Sequence, residues 1–144
     1  MAAILGHVVR KNLGPKFHDA IYVTDSTIAM YWINMDQRPL ETAVRNCVIE
    51  IRRFSEPKDW HHIDTNLNIA DLGTRLATVD QISEGSEWQD GKAWMKLPRD
   101  QMPIKTMQEV SLTADEKRQA AKEMKKMDVQ GIMVAAMKDK VSDR

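Results

Sequence analysis

The sequence predicts an α/β fold, in which two strands form a sheet covered by helices and a further helix lies at the C-terminal end. Residues 20–24 form a run of strand length that is rich in β-branched and aromatic side chains, and residues 59–64 read as a short second strand. Before, between and after these runs, apolar residues recur at spacings of three and four, which is the helical period. A sheet covered by helices is the architecture that buries both kinds of segment.

The composition fits one globular domain without an extreme charge. Hydrophobic residues make up 42% of the 144 residues and charged residues 29%, so the chain can bury a core. The 21 basic and 21 acidic residues cancel. This balance excludes a strong overall attraction to nucleic acid and leaves only a local basic patch for such a contact.

Cysteine usage and apolar runs argue against secretion and against a membrane. The single cysteine, Cys47, excludes an internal disulfide, and an intracellular location, cytoplasmic or nuclear, is expected. No apolar run approaches membrane-spanning length, so no membrane contact is predicted. Because Cys47 lies on the apolar stripe of a predicted helix, we expect its thiol to be buried.

The first half of the chain reads as helix, strand, acidic residue and helix. The opening helix stops at Gly14 and Pro15, and its apolar residues are Ile4, Leu5, Val8, Val9 and Leu13. The first strand ends at Asp25, after which Ser26 can cap the next helix. Open α/β sheets place their ligands at this position, beyond the carboxyl end of a strand.

A long amphipathic helix and a second strand follow. Pro39 suits the first turn of this helix, and its apolar stripe consists of Leu40, Val44, Cys47, Val48, Ile51 and Phe54. Its opposite face carries Arg45, Arg52 and Arg53. After the second strand, a further helix is expected to turn Ile69, Leu72 and Leu76 inward. Asp71 then falls in the first turn of that helix, where the helix dipole favours an ionised carboxylate.

The pattern predicts three segments, residues 1–80, 81–104 and 105–144. Residues 81–104 read as a connecting segment, with Trp88 and Trp94 on either side of an Asp-Gly turn. The last segment begins with a capping box of Thr113 and Glu116 and continues as a charged helix. The apolar residues expected to face inward in this last helix are Met124, Met127 and Val134.

Three ordered motifs carry a family resemblance. The run Tyr-Val-Thr-Asp-Ser-Thr at residues 22–27, followed by Tyr-Trp-Ile at 31–33, resembles the third acidic motif of retroelement ribonuclease H domains. The Asn-x-Ala-Asp motif at 68–71 and its flanks are spaced as in Bel/Pao-class retrotransposon polyproteins; these positions are Trp60, Ile63, Thr65, Asn68, Ala70, Asp71, Thr74 and Arg75. Residues 86–98 are similar to the stretch that follows this domain in the same polyproteins, so the resemblance covers about residues 1–104.

The resemblance implies a ribonuclease H-like domain, α/β with a mixed sheet flanked by helices, that cleaves the RNA strand of an RNA/DNA hybrid. In that family, three aspartates and a glutamate hold two Mg²⁺ ions, and Asp25 and Asp71 match two of these ligands. The first aspartate and the glutamate would fall before residue 1. We therefore expect a truncated fold that is catalytically incomplete alone, because two bridged ions about 4 Å apart need several carboxylates.

Other roles for the same residues remain open at this stage. Arg75 could bind a phosphate or simply pair with Asp71 on the surface. The arginines at 45, 52 and 53 could follow the backbone of a hybrid or form a solvated face. Trp88 and Trp94 could stack on bases, although packing against the sheet is favoured. His61 and His62 point to opposite faces of a strand and are expected to be structural.

Three functional hypotheses follow from this reading. The first is a metal-dependent hybrid endonuclease domain, with Asp25 and Asp71 as ligands. The second is a module that binds hybrid or other nucleic acid through Arg45, Arg52, Arg53 and Arg75 without cutting it. The third is a remnant that associates with another chain through an exposed sheet edge or through the C-terminal helix.

Overall fold

The computed structural model of this protein describes residues 2–14 and 19–124. Its helices and strands are α1 (Ala2–Leu13), β1 (Tyr22–Thr24), α2 (Thr27–Asn34), α3 (Thr42–Phe54), β2 (Trp60–Ile63), α4 (Val79–Ile82), α5 (Glu87–Asp90), β3 (Ile104–Lys105) and α6 (Ala114–Lys122). The mixed α/β class and the helix at the C-terminal side are confirmed. The predicted inward positions of Met127 and Val134 lie outside the described residues.

The sheet has the strand order β1-β2-β3 and is mixed. β1 and β2 are parallel, with Tyr22 beside Trp60 and Thr24 beside His62, while β2 and β3 are antiparallel. The sequence predicted only the first two strands. β3 was missed because two residues are too short to show an alternating pattern, and its pairing depends on a contact with a strand forty residues away.

The core lies between α1, α2 and the sheet. Met30 and Ile33 on α2 are fully buried beside Tyr22 and Trp60, whose rings stack at a centroid distance of 5.1 Å. Gly6 allows α1 to approach this stack, since a Cβ at Gly6 would lie 2.5 Å from the Tyr22 ring. This packing fixes the two parallel strands whose carboxyl ends lead into the candidate site.

Three predicted features of α2 and α3 differ in outcome. Ser26 caps α2 as predicted, and its side chain accepts a hydrogen bond from the backbone N–H of Ala29. α3 begins later than predicted, at Thr42, because Leu40 is held in an isolated β-bridge with Met124.

The expectation of a buried Cys47 thiol is wrong, since the residue is exposed. Cys47 lies at the edge of the stripe, and α3 instead buries Val48.

The predicted helix after β2 is also shorter than expected. Residues Ile69–Gly73 form a 3-10 helix, and the Thr74 hydroxyl donates to the Asp71 carbonyl at its end. The expectation that Leu76 packs inward is therefore wrong, because the chain has left the helix and Leu76 is 104% exposed. A Gly-Thr pair favours such an early stop, since glycine is costly in a helix.

Helix α6 packs against helix α2. Thr113 and Glu116 form the predicted capping box, and Ala120 is buried. Beyond the helix, the Glu123 carbonyl accepts a 2.8 Å hydrogen bond from the N–H of Glu41. The C-terminal part of the described chain is thus joined to the connection between α2 and α3.

α1 leaves much of its apolar surface uncovered. The exposed apolar residues of this helix are Ile4, Leu5, Val8, Val9 and Leu13. In the described part of the chain, no helix is both long enough and apolar enough to cross a membrane.

Candidate functional site

Asp25 lies where the sequence predicted, at the carboxyl end of β1. The residue is half-buried, and its backbone carbonyl lies 3.3 Å from His62 Nε2 on the neighbouring strand. A carbonyl can only accept, so this contact requires the tautomer of His62 with its proton on Nε2. The Asp25 carboxylate is free of this contact and can serve another partner.

Asp71 lies on the 3-10 turn that follows β2. Its carboxylate oxygen Oδ2 lies 2.6 Å from a guanidinium nitrogen of Arg75, in an i,i+4 ion pair. The Asp71 side chain is 31% exposed and that of Arg75 is 68% exposed. An ion pair this accessible to water contributes at most about 0.5 kcal/mol, so a competing cation or anion can separate it at little cost.

A cavity of about 420 Å³ opens beside Asp71, and we call it the Asp71 cavity. Its charged and polar lining includes Asn68, Asp71, Arg75, Ser86, Glu87 and Lys92. Asp25 is not among its lining residues. Both aspartates follow neighbouring parallel strands, whose carboxyl ends meet at one edge of a sheet. The structure thus brings Asp71 and Arg75 into one cavity, while Asp25 lies outside it.

Glu116 makes a contact with α2 in addition to the helix cap that its sequence pattern predicts. One carboxylate oxygen serves the capping box, and the other accepts a short hydrogen bond from the Thr27 hydroxyl on α2. The hydrogen bonds from Thr27 and Thr113 hold the pKa of the Glu116 carboxyl below its usual range, and the nearby His62 acts in the same direction. The negative charge of Glu116 therefore lies at the start of α2. The first residue of this helix, Thr27, is two residues after Asp25 in the chain.

The sequence indicates only one of the two contacts that the Glu116 carboxylate makes. The spacing of Thr113 and Glu116 predicts the local capping contact. The partner of the second oxygen lies 89 residues away along the chain. No local pattern indicates such a contact, because it depends on how α6 packs against α2.

The predicted basic face of α3 is used in different ways. The Arg52 guanidinium donates to the carbonyls of Ile33 and Met35 and thereby satisfies the end of α2. Arg53 is exposed and lies over the ring of Phe54 at 5.6 Å. Arg45 is half-buried. Arg52 therefore has a sufficient structural role, and contact of Arg45, Arg52 and Arg53 with nucleic acid stays a prediction.

The two histidines of β2 lie in the environments expected for opposite faces. His61 is buried, with Nδ1 3.2 Å from the Asp59 carbonyl, whereas His62 is half-buried beside Asp25. Each imidazole ring therefore contacts a backbone carbonyl, that of Asp59 for His61 and that of Asp25 for His62.

The tryptophans pack on the turn that carries Asp71, whereas the sequence favoured packing against the sheet. The indole N–H of Trp94 donates to the Leu67 carbonyl at 3.1 Å. A Cβ at Gly73 would lie 3.2 Å from the Trp88 ring, so that ring lies directly against the turn. Residues 81–104 therefore do more than connect two segments, because they form one wall of the Asp71 cavity.

The chemistry of the donors decides which cation the site could hold. Within residues 2–14 and 19–124, no group of three or more His, Cys, Asp or Glu side chains is arranged to hold a metal ion. Mg²⁺ commonly keeps several waters and takes one or two carboxylates from the protein. Asp25 and Asp71 carry carboxylate oxygens of this kind, but Asp25 lies outside the cavity that Asp71 lines. They do not fit a two-ion centre, which needs further bridging carboxylates.

No protein-family model, curated protein or solved structure matches this chain.

Proposed function

We propose that this chain derives from a ribonuclease H-like domain of the Bel/Pao retrotransposon class, whose reaction is metal-dependent cleavage of the RNA strand of RNA/DNA hybrids. The 144 residues contain two of the carboxylates that this chemistry requires, Asp25 and Asp71. On this proposal the chain by itself holds one hydrated Mg²⁺ ion weakly and binds nucleic acid without cutting it.

One observation supports this proposal more than any other. β1 and β2 are parallel neighbours, and Asp25 immediately follows β1 while the turn bearing Asp71 follows β2. The carboxyl ends of adjacent parallel strands lie at the same edge of a sheet, which is where α/β proteins bind ligands. The strand–acid–helix order around Asp25, with Ser26 as the cap, adds to this support.

The roles follow from the contacts around each carboxylate. Asp25 and Asp71 would supply hard oxygen ligands, and a bound ion would neutralise phosphate charge and orient a phosphate oxygen. The Arg75 guanidinium, which is paired with Asp71 here, would be free to bind the phosphate if the Asp71 carboxylate held an ion. His62 fixes the backbone of Asp25 through its carbonyl.

The experiment compares hybrid cleavage and hybrid binding by the purified chain. We expect no Mg²⁺-dependent cleavage of a labelled RNA/DNA hybrid above that of an Asp25→Asn, Asp71→Asn double variant. We also expect binding at low salt that weakens as salt rises, since released counterions drive it. Cleavage above the double variant would contradict the catalytic part of the proposal. Absence of binding at low salt would contradict the nucleic-acid part.

A second candidate function is association with another polypeptide. Among the described residues β1 pairs with β2 alone, and the neighbouring helix α1 exposes Leu5, Val8, Val9 and Leu13. Free backbone groups at an edge fit an extended strand, and its apolar side chains would cover α1. Size-exclusion chromatography with light scattering tests this, because a monomer that captures no β-strand peptide would contradict it.

A further inference from the structure

The Asp71 cavity has the size and the supporting packing of a small-molecule site. Its volume of about 420 Å³ falls within the usual range for such sites. One wall is the turn after β2, and the other is α5 with the residues around it. Trp94 is hydrogen-bonded to Leu67, and Trp88 lies against Gly73, so both walls are fixed to each other before any ligand binds.

Two positively charged side chains line this cavity, and each is paired with a carboxylate. Arg75 pairs with Asp71 at 2.6 Å, and Lys92 Nζ lies 3.0 Å from Glu87 Oε2. Glu87 is 61% exposed, whereas Lys92 is only 19% exposed. Lys92 is therefore held in position by its surroundings, while its acidic partner can move into solvent. An entering anion can replace either carboxylate without leaving a buried charge unpaired.

An uncharged donor is also available. The hydroxyl oxygen of Ser86 is buried and has no hydrogen-bond partner among the described residues, and Ser86 lines the cavity. A buried hydroxyl without a partner costs free energy, which a ligand oxygen could recover. Two cations and one hydroxyl donor together suit the oxygens of a phosphate group.

The rest of the lining indicates what the phosphate is attached to. Ile69 and Leu72 are half-buried apolar residues of the cavity, and Asn66 and Gln81, which carry side-chain amides, also line it. Apolar surface with amide donors and acceptors suits a flat heterocycle with polar edges. The four charged side chains sum to zero, so a bare anion gains little from the site. A nucleotide supplies both the phosphate and the flat ring.

We propose that the Asp71 cavity binds one nucleotide, with Arg75 and Lys92 as the phosphate-binding residues and Ser86 as a further donor. The ligand is either a free nucleoside monophosphate or a single nucleotide of an RNA strand. The strand as the source rests on the proposed function, whereas binding of the free nucleotide does not. The segment that carries the tryptophans is then part of the binding site.

The test is calorimetric titration of the full chain in EDTA with adenosine 5′-monophosphate, a short adenine-containing RNA, adenosine and inorganic phosphate. The nucleotide or the RNA should bind, and adenosine and phosphate should bind at least about tenfold more weakly. Tighter binding of the monophosphate assigns a free nucleotide as the ligand, and tighter binding of the RNA assigns a strand.

Variants separate the cavity from the rest of the molecule. Lys92→Gln and Arg75→Gln should each weaken binding by about tenfold, since each removes a charge-assisted hydrogen bond. Lys96→Gln is the matched control, because Lys96 is exposed and does not line the cavity. Ser86→Ala gives a second, smaller loss that does not depend on charge. Circular dichroism shows whether each variant is folded.

Two results would overturn this inference. One is the failure of both the nucleotide and the RNA to bind at millimolar concentration. The other is binding that Lys92→Gln and Arg75→Gln leave unchanged. Because EDTA removes divalent cations, neither result depends on the cation site. A failed cation titration would therefore contradict the proposed function alone.

Discussion

Removal of the Ser55 hydroxyl should destabilise the fold, because the buried indole N–H of Trp60 would lose its hydrogen-bond acceptor. The indole N–H of Trp60 donates to Ser55 Oγ at 2.8 Å, and both residues are buried. Ser55 Oγ also donates to the Ile51 carbonyl, but this carbonyl already accepts the backbone N–H of Ser55. Ser55→Ala therefore leaves one group unsatisfied, the indole N–H, in the core beneath β2.

The expected cost is that of a buried donor without a partner, about 1 to 3 kcal/mol. For a domain of this size, this corresponds to a fall in Tm of roughly 3 to 6 °C per kcal/mol. Urea unfolding followed by tryptophan fluorescence measures the change, and the slope m should stay the same because the exposed surface does not change.

A double-mutant cycle tests the reason as well as the size. Trp60→Phe removes the donor, so the added cost of Ser55→Ala should be about 1 kcal/mol or more smaller in that background than in the wild type. A Ser55→Ala cost below about 0.5 kcal/mol, the range of ordinary surface substitutions, would refute the reasoning. An equal cost in both backgrounds would refute it too.

Three further predictions concern packing, pH and the ion pair at the site. Gly6→Ala should destabilise by about 1 kcal/mol in urea unfolding, because displacement of the stacked Tyr22 ring outweighs the gain in helix propensity; a stabilised variant would contradict this close packing. The pKa of Glu116 lies below its ordinary value of 4.5, so its stabilising effect should be complete above that pH and be lost as pH falls through the lowered pKa. The difference in urea midpoint between wild type and Glu116→Gln should shrink in this acid range, and a constant difference would count against it. Asp71→Asn and Arg75→Gln should each change stability by less than about 0.5 kcal/mol, since the pair is exposed; a larger loss in unfolding would show a structural role.

Local patterns predicted those parts of the fold whose causes are local. The cap at Ser26, the capping box at Thr113 and the strand that ends at Asp25 all depend on neighbouring residues, and all three are present. Leu76 and Cys47 were predicted wrongly because a helical period says which residues share a face but not where the helix stops or what covers it.

The candidate site was predicted only in part for the same reason. The pairing of Asp71 with Arg75, four residues apart, was one of two alternatives for Arg75, and the structure contains this pair. The wall formed by Ser86 and Lys92 and the contact of Glu116 with α2 join distant parts of the chain. Such contacts are set by tertiary packing, for which one sequence gives no direct signal.

On the proposed function Asp25 and Asp71 share one divalent cation, and a Mn²⁺ titration followed by electron paramagnetic resonance measures whether they do. Mn²⁺ takes the same oxygen ligands as Mg²⁺. The wild type should bind one ion, and Asp25→Asn, Asp71→Asn and the double variant should all lose it to the same extent. If each single variant kept part of the Mn²⁺ binding and only the double variant lost all of it, the two aspartates would belong to separate sites, which would contradict a shared ion. A wild type that binds no Mn²⁺ would contradict it as well.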